Sequence, residues 1–544
     1  MTTRDSSERD ARVFALYEQL LEIEQRLIPT GLHVFGRASS SGEQIDLFKM
    51  IASFDRPEHG VKALPAEFID DAIREFVNHG SEAAVRLLES DGLNADQTRP
   101  VFQLLESVAK KLQTNTEIDS LIRALRGEYI EPGPGADIIQ NPDVLPTGRN
   151  THAINPYSVP SAAAFARSEV VATSLLERYR SEHGRYPEAM ALVLWGLDNI
   201  KTQGEGVAQA LWLLGVRPVR DGLNRTTDVE PISLQELARP RIDVVMTISG
   251  IFRDLFSPTV QLLDKAVRLV ARLDEPIESN YVRKHVLQQV QADACTPDDA
   301  AVRVFSNAPG NYGTNVNFMV MDSQWEREET LGDLFVTRKC FAYGRDSHGR
   351  AFEGREARLA MDRALSRVEA TYQNIDTFEI GLTDVDHYFE YLGGVSKAVE
   401  KRAQAKPAIY LSDTLSRDVK IRTLEETLRL ETRTKTLNPK WYEGMLKHGF
   451  RGVAEIENHV SNTFGWSATA DAVDDWIYSE VANTFLFDES MLERLRDLNP
   501  HSAHALAQRL LEANGRGYWD ADESTLAKLR EISRSLEDQL EGVA

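Results

Sequence analysis

The sequence predicts an α/β protein with a doubly wound, mainly parallel sheet domain flanked by helical regions. Between about residues 160 and 320, short apolar and β-branched runs alternate with helical patterns. Such alternation requires crossover connections, which place parallel strands side by side in one sheet. On both sides of this stretch the apolar residues recur mainly with helical spacing.

Four runs are predicted as strands. They are AMALVLW before Trp195, RPVRD around Val219, IDVVMTIS before Gly250 and VRVFSN around Val304. Helical patterns follow the first and third runs, as expected for crossover helices. Ligands of open α/β sheets bind at the carboxyl ends of the strands. The polar loops 196–205 and 250–254 are therefore the expected ligand-binding edge.

The chain is too long for one core, and three regions are predicted. Residues 1–128 form a mainly helical region. Residues 129–345 form the α/β domain, preceded by a segment rich in Gly and Pro. Residues 346–544 form a mainly helical carboxy-terminal region. The first helix carries apolar residues at three- and four-residue spacing from Val13 onward, and Pro29 ends this pattern.

The net charge of the chain argues against two classes of partner, nucleic acids and anionic membranes. The chain has 62 basic and 84 acidic residues, giving a net charge of −22. Such a chain repels phosphate backbones and anionic membrane surfaces, so nucleic acid is not an expected partner. A cation or a cationic protein surface suits it better, although the charge is also explained by solubility alone.

Cysteine usage and hydropathy predict a cytoplasmic protein. The two cysteines, Cys295 and Cys340, lack the spacing of a zinc or iron–sulfur site and do not suggest a disulfide framework. The first residues, MTTRDSSERDAR, are polar and unlike a signal peptide. No run of about 18 apolar residues is present, so no integral membrane segment is expected.

The strongest candidate for chemistry is GLTDVDHYFEYLGG, residues 381–394. If a helix begins here, Asp384, His387 and Glu390 fall at successive i, i+3 positions on one face. An imidazole between carboxylates can take up a metal ion or a proton. The alternative is that Thr383 and Asp386 form a capping box, which would make Asp386 a helix cap.

Further candidates lie at or near the predicted sheet edge. Asp198, Lys201 and Glu205 follow the first strand, where their mixed charges suit either a ligand or turn and helix-dipole roles. Arg253 begins the helix after the third strand and could hold a carboxylate or pair with Asp254. Arg283 in NYVRKH adds a further cation. No Walker, G-x-G-x-x-G, H-E-x-x-H or G-x-S-x-G motif is present, so this chain does not hydrolyse ATP through a Walker site.

Taken together, these segments resemble the large, porphyrin-binding subunit of magnesium chelatase, specifically its carboxy-terminal half. The resemblance is carried in order by WGLDNIKTQGEGVAQALWLLGVRPV, RPRIDVVMTISGIFRDLF, NYVRKH, RVFSNAPGNYGTNV, LTDVDHYF, RTLEETLRLETRTKTLNPKWYEGML, NTFGWSATADAVDDW and LLEANGRGYW. The cobaltochelatase large subunit shares the sheet domain. The segment Asp198–Glu205 and the last 140 or so residues are more similar to the magnesium enzyme.

The resemblance implies ATP-dependent insertion of Mg²⁺ into protoporphyrin IX in chlorophyll or bacteriochlorophyll biosynthesis. Both Mg²⁺ and protoporphyrin IX would be substrates. ATP would be used by two partners, an AAA+ ATPase subunit and a subunit with a metal-binding domain. The resemblance makes His387 a candidate active-site residue. From the residue patterns above, we expect Asp384 and Glu390 to act with His387 in catalysis and to hold Mg²⁺ transiently, and we expect Arg253, Lys201, Asp198, Glu205 and Arg283 to bind the porphyrin.

Family members are expected to be about twice as long, and their G-T-H-G-x-L-E-[FW] motif is not found here. Three explanations stay open: a fragment, one half of a split subunit with a separate amino-terminal half, or a relative that has lost the full insertion site. Two other functions are weighed beside the chelatase. One is a non-catalytic tetrapyrrole-binding or docking module, and the other is a cobalt-inserting subunit.

Overall fold

A computed structural model describes residues 3–543 except 27, 30, 55, 57–59, 136, 140, 224, 346–349, 378 and 415–418. The chain divides into two compact units. Unit 1 comprises Met1–Leu27 and Leu32–Ala153, and unit 2 comprises Ile28–Gly31 and Ile154–Ala544. No helix in the described ranges combines the length and apolar character needed to cross a bilayer.

Unit 1 is mainly helical. Its helices are α1 (Thr3–Gln25), α2 (Ser41–Ala52), α3 (Ala66–His79), α4 (Ser81–Ser90), α5 (Ala95–Leu112) and α6 (Glu117–Leu125). The segment rich in Gly and Pro adds a short 3₁₀ turn, Pro142–Val144, and two paired strands, β1 (Gly133–Pro134) and β2 (Asn150–Thr151). Apolar residues of α2 to α5 form the core of this unit. The predicted boundary at residue 128 was too early, because the unit extends to Ala153.

Unit 2 contains the α/β domain. Its strands are β3 (Ala189–Leu194), β4 (Val216–Arg220), β5 (Thr226–Pro231), β6 (Asp243–Ile248), β7 (Val304–Ser306), β8 (Phe341–Arg345), β9 (Ala351–Glu356), β10 (Ala370–Ile375), β11 (Ala408–Asp413) and β12 (Lys420–Thr423).

The helices of unit 2 surround these strands and continue to the end of the chain. They are α7 (Ala162–His183), α8 (Gly196–Lys201), α9 (Glu205–Leu214), α10 (Leu234–Leu237), α11 (Gly250–Leu255), α12 (Ser257–Arg272), α13 (Tyr281–Asp293), α14 (Pro297–Ala300), α15 (Val316–Met321), α16 (Glu329–Lys339), α17 (Arg358–Leu365), α18 (Asp386–Tyr388), α19 (Gly394–Ala403), α20 (Leu424–Thr434), α21 (Pro439–Leu446), α22 (Phe450–Ala470), α23 (Asp475–Ala482), α24 (Glu489–Leu498), α25 (Pro500–Gly515) and α26 (Glu523–Leu540). A 3₁₀ turn spans Pro156–Ser158, and π-helical turns span Phe389–Gly393 and Asn483–Phe487.

The main sheet confirms the predicted fold class. Among the described residues it has eight strands in the order β12-β11-β10-β3-β6-β7-β8-β9. The five central strands, β11 to β7 in this order, run parallel, and antiparallel strands extend both edges. Every residue of β3, β6 and β10 is buried, as expected for parallel strands covered on both faces.

Two sequence predictions require correction. The sheet extends far beyond the predicted boundary at 345/346, since β10 pairs with β3 and β11 pairs with β10; residue 346 itself is outside the described residues. These two strands, ATYQNI and AIYLSD, are short and mix apolar with polar residues, so the pattern did not reveal them. The run around Val219 forms β4, which pairs only with β5 in a separate antiparallel ribbon. Its half-exposed arginines and Pro218 suit such a ribbon better than a buried strand.

Strand order reverses between β3 and β10. From β3 the chain adds β6 and β7 on one side, and it later returns to place β10 and β11 on the other. The loops after β3 and β10 therefore leave the sheet in opposite directions and open a crevice at the carboxyl edge. Crevices at such reversals are the usual ligand sites of doubly wound sheets.

A buried ion cluster lies at the opposite, amino edge of the parallel strands. Asp243, the first residue of β6, accepts two hydrogen bonds from Arg303 (2.8 and 3.0 Å) and one from His285 (2.8 Å). Burial alone would raise the pKa of Asp243, but Arg303 and His285 hold it well below its ordinary value. All three side chains are buried, so the cluster ties α13 and β7 to β6.

Arg303→Met is expected to lower the free energy of unfolding by about 3–5 kcal/mol near neutral pH, because Asp243 would stay buried without its main countercharge. Denaturant unfolding measures this change. Arg272→Met is the matched control: Arg272 is exposed and pairs with Asp298 at the surface, so its loss should cost less than about 1 kcal/mol. Equal losses for both variants would contradict the proposed role of the cluster.

Candidate functional site at the carboxyl edge of the sheet

Four chain segments meet at the carboxyl edge, and a series of contacts connects them. The backbone at Gly196 lies against Ile251, and the backbone at Gly250 lies against the ring of Tyr312; a Cβ at either glycine would clash. The segment 313–315 in turn contacts Glu390. The indole of Trp195 packs against the ring of Tyr391, with centroids 4.5 Å apart. The polar loops predicted after β3 and β6 fold as the short helices α8 and α11.

His387 and Glu390 form a hydrogen-bonded pair at this edge. His387 Nδ1 lies 2.8 Å from Glu390 Oε2. The carboxylate of Glu390 is 1% exposed, whereas the imidazole is 60% exposed. Glu390 also accepts hydrogen bonds from the backbone N–H groups of Thr314 and Asn315 and from the Thr314 hydroxyl. The pair therefore joins an exposed imidazole to a fully engaged, buried carboxylate.

Hydrogen bonds and burial set the protonation states of His387 and Glu390. Burial would raise the pKa of Glu390, but the hydrogen bonds from His387 and Thr314 bring it below its ordinary value. The same hydrogen bond raises the pKa of His387 above 6.5, although burial opposes the shift. Since ionised Glu390 can only accept, Nδ1 carries the hydrogen, and the Nε2 lone pair of neutral His387 is available as a proton acceptor.

Asp384 does not join this pair, contrary to the prediction of one three-residue site. Its carboxylate pairs with Lys435 and lies 3.0 Å from His459 Nε2. These two groups hold the pKa of Asp384 well below its ordinary value in spite of burial. Asp384 precedes the helical turn α18, so the expected i, i+3 geometry does not apply to it. Among the described residues, no group of three or more His, Cys, Asp or Glu side chains could hold a metal ion.

The predicted capping box is also corrected. Thr383 does not cap a helix, because its hydroxyl contacts Glu431 and lies 3.0 Å from His459 Nδ1. Glu431 accepts further hydrogen bonds from the N–H groups of Leu382 and Thr383, each at 2.8 Å. Asp386 instead accepts a hydrogen bond from Asn317 (2.6 Å). Glu431 of α20, Lys435 just after it and His459 of α22 thus fix the segment that carries His387.

Asp198, Lys201 and Glu205 lie in the crevice between β3 and β10. Lys201 pairs with Asp376 (3.1 Å), and Glu205 pairs with Arg167 (3.1 Å). Burial raises the pKa of Glu205 to about 7. Burial, together with the nearby carboxylates of Asp376 and Glu205, raises the pKa of Asp198 well above its ordinary value. Lys201 and Glu205 are thus engaged with Asp376 and Arg167, which suits a role in fixing the loops.

Arg253 shapes the loop after β7. Its Nε lies 2.7 Å from Asp254, and its Nη1 donates to the carbonyl oxygens of Ala308 (3.0 Å) and Asn311 (2.9 Å). Its Nη2 is buried and makes no hydrogen bond within the described part of the chain. Arg253 lines a cavity of about 240 Å³. The side chain is therefore mainly structural, with the Nη2 amino group left for a ligand.

Arg283 lies elsewhere. It belongs to α13, where Nη1 donates to the carbonyl oxygen of Leu273 (2.5 Å) and pairs with Asp274 (2.8 Å). The nearby residue Asn280, which caps this helix, forms a bridge with Arg241, just before β6 begins. Arg283 is thus at the amino edge, because α12 returns the chain there before α13 begins. The prediction of a porphyrin-binding role for Arg283 is not supported by this position.

Exposed apolar side chains lie on the segments that follow β3, β6, β7 and β10, at the same edge of the sheet as the His387–Glu390 pair. We call this set the apolar rim; its members are 36–62% exposed: Leu197, Ile251, Leu255, Tyr312, Phe318 and Ile380. Soluble proteins seldom leave such residues clustered at one place unless the surface binds a partner or ligand. Sequence reasoning missed the rim because each member stands singly in the chain.

Asp376, Tyr388 and Lys339 were also missed. Asp376 follows a strand that was not predicted. Tyr388 is buried, and burial together with the nearby carboxylates of Asp376 and Asp198 raises its pKa well above its ordinary value. Lys339 is fully buried and donates to the carbonyl oxygen of Ile248 (2.9 Å), and burial lowers its pKa well below its ordinary value. No spacing in the sequence marks these residues.

Comparison with known proteins gives a consistent result. The profile of the CobN/magnesium chelatase family matches residues 1–526. The chloroplast magnesium-chelatase subunit ChlH of Oryza sativa subsp. indica is 44% identical over 99% of this chain and 43% of its own length. The corresponding magnesium-chelatase protein of Cereibacter sphaeroides is 41% identical over 98% of this chain and 40% of its own length.

A solved structure matches as well. The catalytic subunit of cobaltochelatase from Mycobacterium tuberculosis superposes with a TM-score of 0.91 at 34% identity, covering 97% of this chain and 47% of that chain. The chain spans less than half the length of these relatives.

Glu390→Gln is expected to lower the pKa of His387, because the charge that stabilises the imidazolium is removed while the side chain keeps its shape. NMR titration of ¹³C-labelled histidine measures the pKa, with His387→Gln to assign the signal. Asp386→Asn removes a weaker and more distant charge, 3.7 Å from Nδ1, and should lower the pKa less. An unchanged pKa in Glu390→Gln would refute the assigned pairing.

Proposed function

Because the chain belongs to the CobN/magnesium chelatase family, we propose that it forms the tetrapyrrole-binding part of an ATP-dependent magnesium chelatase. It would insert Mg²⁺ into protoporphyrin IX in chlorophyll or bacteriochlorophyll biosynthesis. The observation that carries this proposal is the convergence of the apolar rim and the His387–Glu390 pair at one sheet edge. A flat, apolar macrocycle with ionisable pyrrole nitrogens needs both features.

The choice of magnesium follows from sequence similarity. The two magnesium-chelatase subunits described above are 41–44% identical to this chain, whereas the cobaltochelatase subunit is 34% identical. Cobalt insertion into a related macrocycle is the second candidate, and the high structural similarity to cobaltochelatase favours it. Both candidates use the same chemistry at the macrocycle, namely exchange of two N–H protons for a divalent metal.

His387 is proposed as the proton acceptor. When a pyrrole N–H bond breaks, the electron pair stays on nitrogen to bind the metal, and the proton moves to His387 Nε2. The exposed ring can pass the proton to solvent and accept the second one. Glu390 is a positioning residue, because it is buried and acts through Nδ1 of His387. A metal site of Asp384, His387 and Glu390 is not proposed, since the structure separates Asp384 from the other two.

The remaining candidates have supporting roles in this proposal. Asp198, Lys201 and Glu205 keep the crevice loops in place. Arg253 offers its unpaired Nη2 amino group to a porphyrin carboxylate, and the 240 Å³ cavity beside it is suited to a carboxylate arm rather than to the whole macrocycle. ATP would be used by an AAA+ subunit and a subunit with a metal-binding domain, through closure of the complex around the substrate.

Reconstitution tests the proposal. The chain is mixed with both ATPase subunits of a relative, ATP, protoporphyrin IX and either Mg²⁺ or Co²⁺, with and without the part of the relative that has no counterpart here. We expect the Mg²⁺ product when that part is supplied. Porphyrin fluorescence quenching with no product under any condition would favour a non-catalytic binding module, and product with Co²⁺ alone would favour the cobalt-inserting alternative.

His387→Gln is expected to reduce the insertion rate by about 10²-fold or more, the usual contribution of a positioned proton acceptor. His501→Gln changes an exposed histidine of α25 and should leave the rate unchanged. Loss of activity in both variants, or in neither, would contradict the assignment of His387.

The pH dependence of insertion provides a separate check. Only neutral His387 accepts a proton, and its pKa is raised above 6.5, so the rate should increase as pH rises through that pKa. In Glu390→Gln the midpoint should move to lower pH. A rate that falls with increasing pH across this range would contradict the proposed direction of proton transfer.

A further inference from the structure

Helix α6 in unit 1 leaves an apolar stripe uncovered. Ile118, Leu121, Ile122 and Leu125 are spaced i, i+3, i+4 and i+7, which places them on one face. They are 40–80% exposed, with Leu125 the most exposed. A stripe of this kind normally packs against another element, because its burial is the main contribution that keeps a short helix folded. Within the described residues, nothing covers it fully.

Helix α1 has a second stripe with the same spacing. Val13, Leu16, Tyr17 and Leu20 are 56–60% exposed. A helix of 23 residues with such a stripe on its surface has the form of a docking helix, since exposed leucine and tyrosine at helical spacing are typical anchors in helix-mediated interfaces. Two unpartnered apolar faces, counted over the described residues, thus belong to one compact unit.

A groove accompanies the α6 stripe. Its volume is about 720 Å³, and its lining combines apolar, basic and acidic side chains, including Ile122, Ile130, Arg123, Arg126, Arg149 and Glu128. A lining that mixes apolar residues with charges of both signs is compatible with a protein–protein interface. An anionic membrane would require an excess of basic residues, and the chain has the opposite balance.

The comparisons indicate what would occupy this surface. The family profile matches from residue 1, and the rice relative matches 99% of this chain, so α1 and α6 lie within the shared part of the family. More than half of each relative's length has no counterpart here. We propose that the apolar stripes of α1 and α6 bind the part of the large subunit that has no counterpart in this chain. That part would be present in the same assembly.

A second copy of this chain is a poorer occupant. The half of α1 that carries the stripe also carries Glu18, Glu22 and Glu24. Two such helices would repel each other, and the net charge of −22 opposes self-association in general. The inference is independent of which metal is inserted, because it concerns assembly and not the chemistry at the sheet edge.

The experiment uses the full chain and a recombinant probe, namely the part of the rice subunit that has no counterpart in this chain. Isothermal titration calorimetry measures the dissociation constant for the unsubstituted chain, Leu16→Glu and Leu125→Glu. Each substitution is expected to weaken binding at least tenfold. Leu223→Glu is the matched control: Leu223 is 75% exposed, compared with 80% for Leu125, and lies in the β4–β5 turn of unit 2. It should bind like the unsubstituted chain.

All three leucines are exposed, so the variants should keep the unfolding midpoint of the unsubstituted chain, which thermal unfolding verifies. Three results would overturn the proposal: no binding of the probe, equal weakening by Leu223→Glu, or formation of a dimer by the chain alone that Leu125→Glu abolishes. The last result would identify a second copy as the occupant. None of these results depends on insertion activity, so failure here is distinguishable from failure of the proposed chemistry.

Discussion

The carboxylate of Glu390 is the contact on which the candidate site depends. It accepts hydrogen bonds from two consecutive backbone N–H groups in the loop after β7 and from the imidazole in the segment after β10. These elements lie on opposite sides of β3 in the sheet. One buried carboxylate therefore fixes the distance between them, the orientation of His387 and the availability of Nε2. Counting the Thr314 hydroxyl, this buried anion has four donors, and it is stable only while they remain in place.

The two edges of the sheet use charge in different ways. At the amino edge, Asp243, Arg303 and His285 are buried together and engage one another, so they stabilise the fold. At the carboxyl edge, Glu390 is buried but its partner His387 is exposed. The same types of side chain thus build a structural cluster at one edge and a reactive surface at the other. Exposure of the imidazole, more than its pKa, distinguishes them.

Much of the fold followed from the sequence, because β3, β6 and β7 are apolar runs between clear helical patterns. The strands β10 and β11 did not follow, since six-residue runs such as ATYQNI have no distinctive periodicity among helices. His387 and Glu390 were predicted from their spacing, and this part of the prediction agrees with their contact. Asp384 was grouped with them on the assumption of a regular helix, but it precedes the turn and is held by Lys435 and His459. Partners as distant in the chain as Lys435 and His459 cannot be recognised from the sequence around Asp384.

Arg283 shows the same limit, since its residue type suggested a ligand contact, whereas chain topology places it at the amino edge of the sheet.

We expect the apolar rim to bind a tetrapyrrole. Quenching of protoporphyrin fluorescence by the chain, compared between the unsubstituted form and Phe318→Asp, tests it most directly. Loss of one buried aromatic contact, worth about 1.5–3 kcal/mol, should weaken binding by roughly 10- to 100-fold, with Leu223→Asp unaffected. Unchanged binding by Phe318→Asp would contradict the claim.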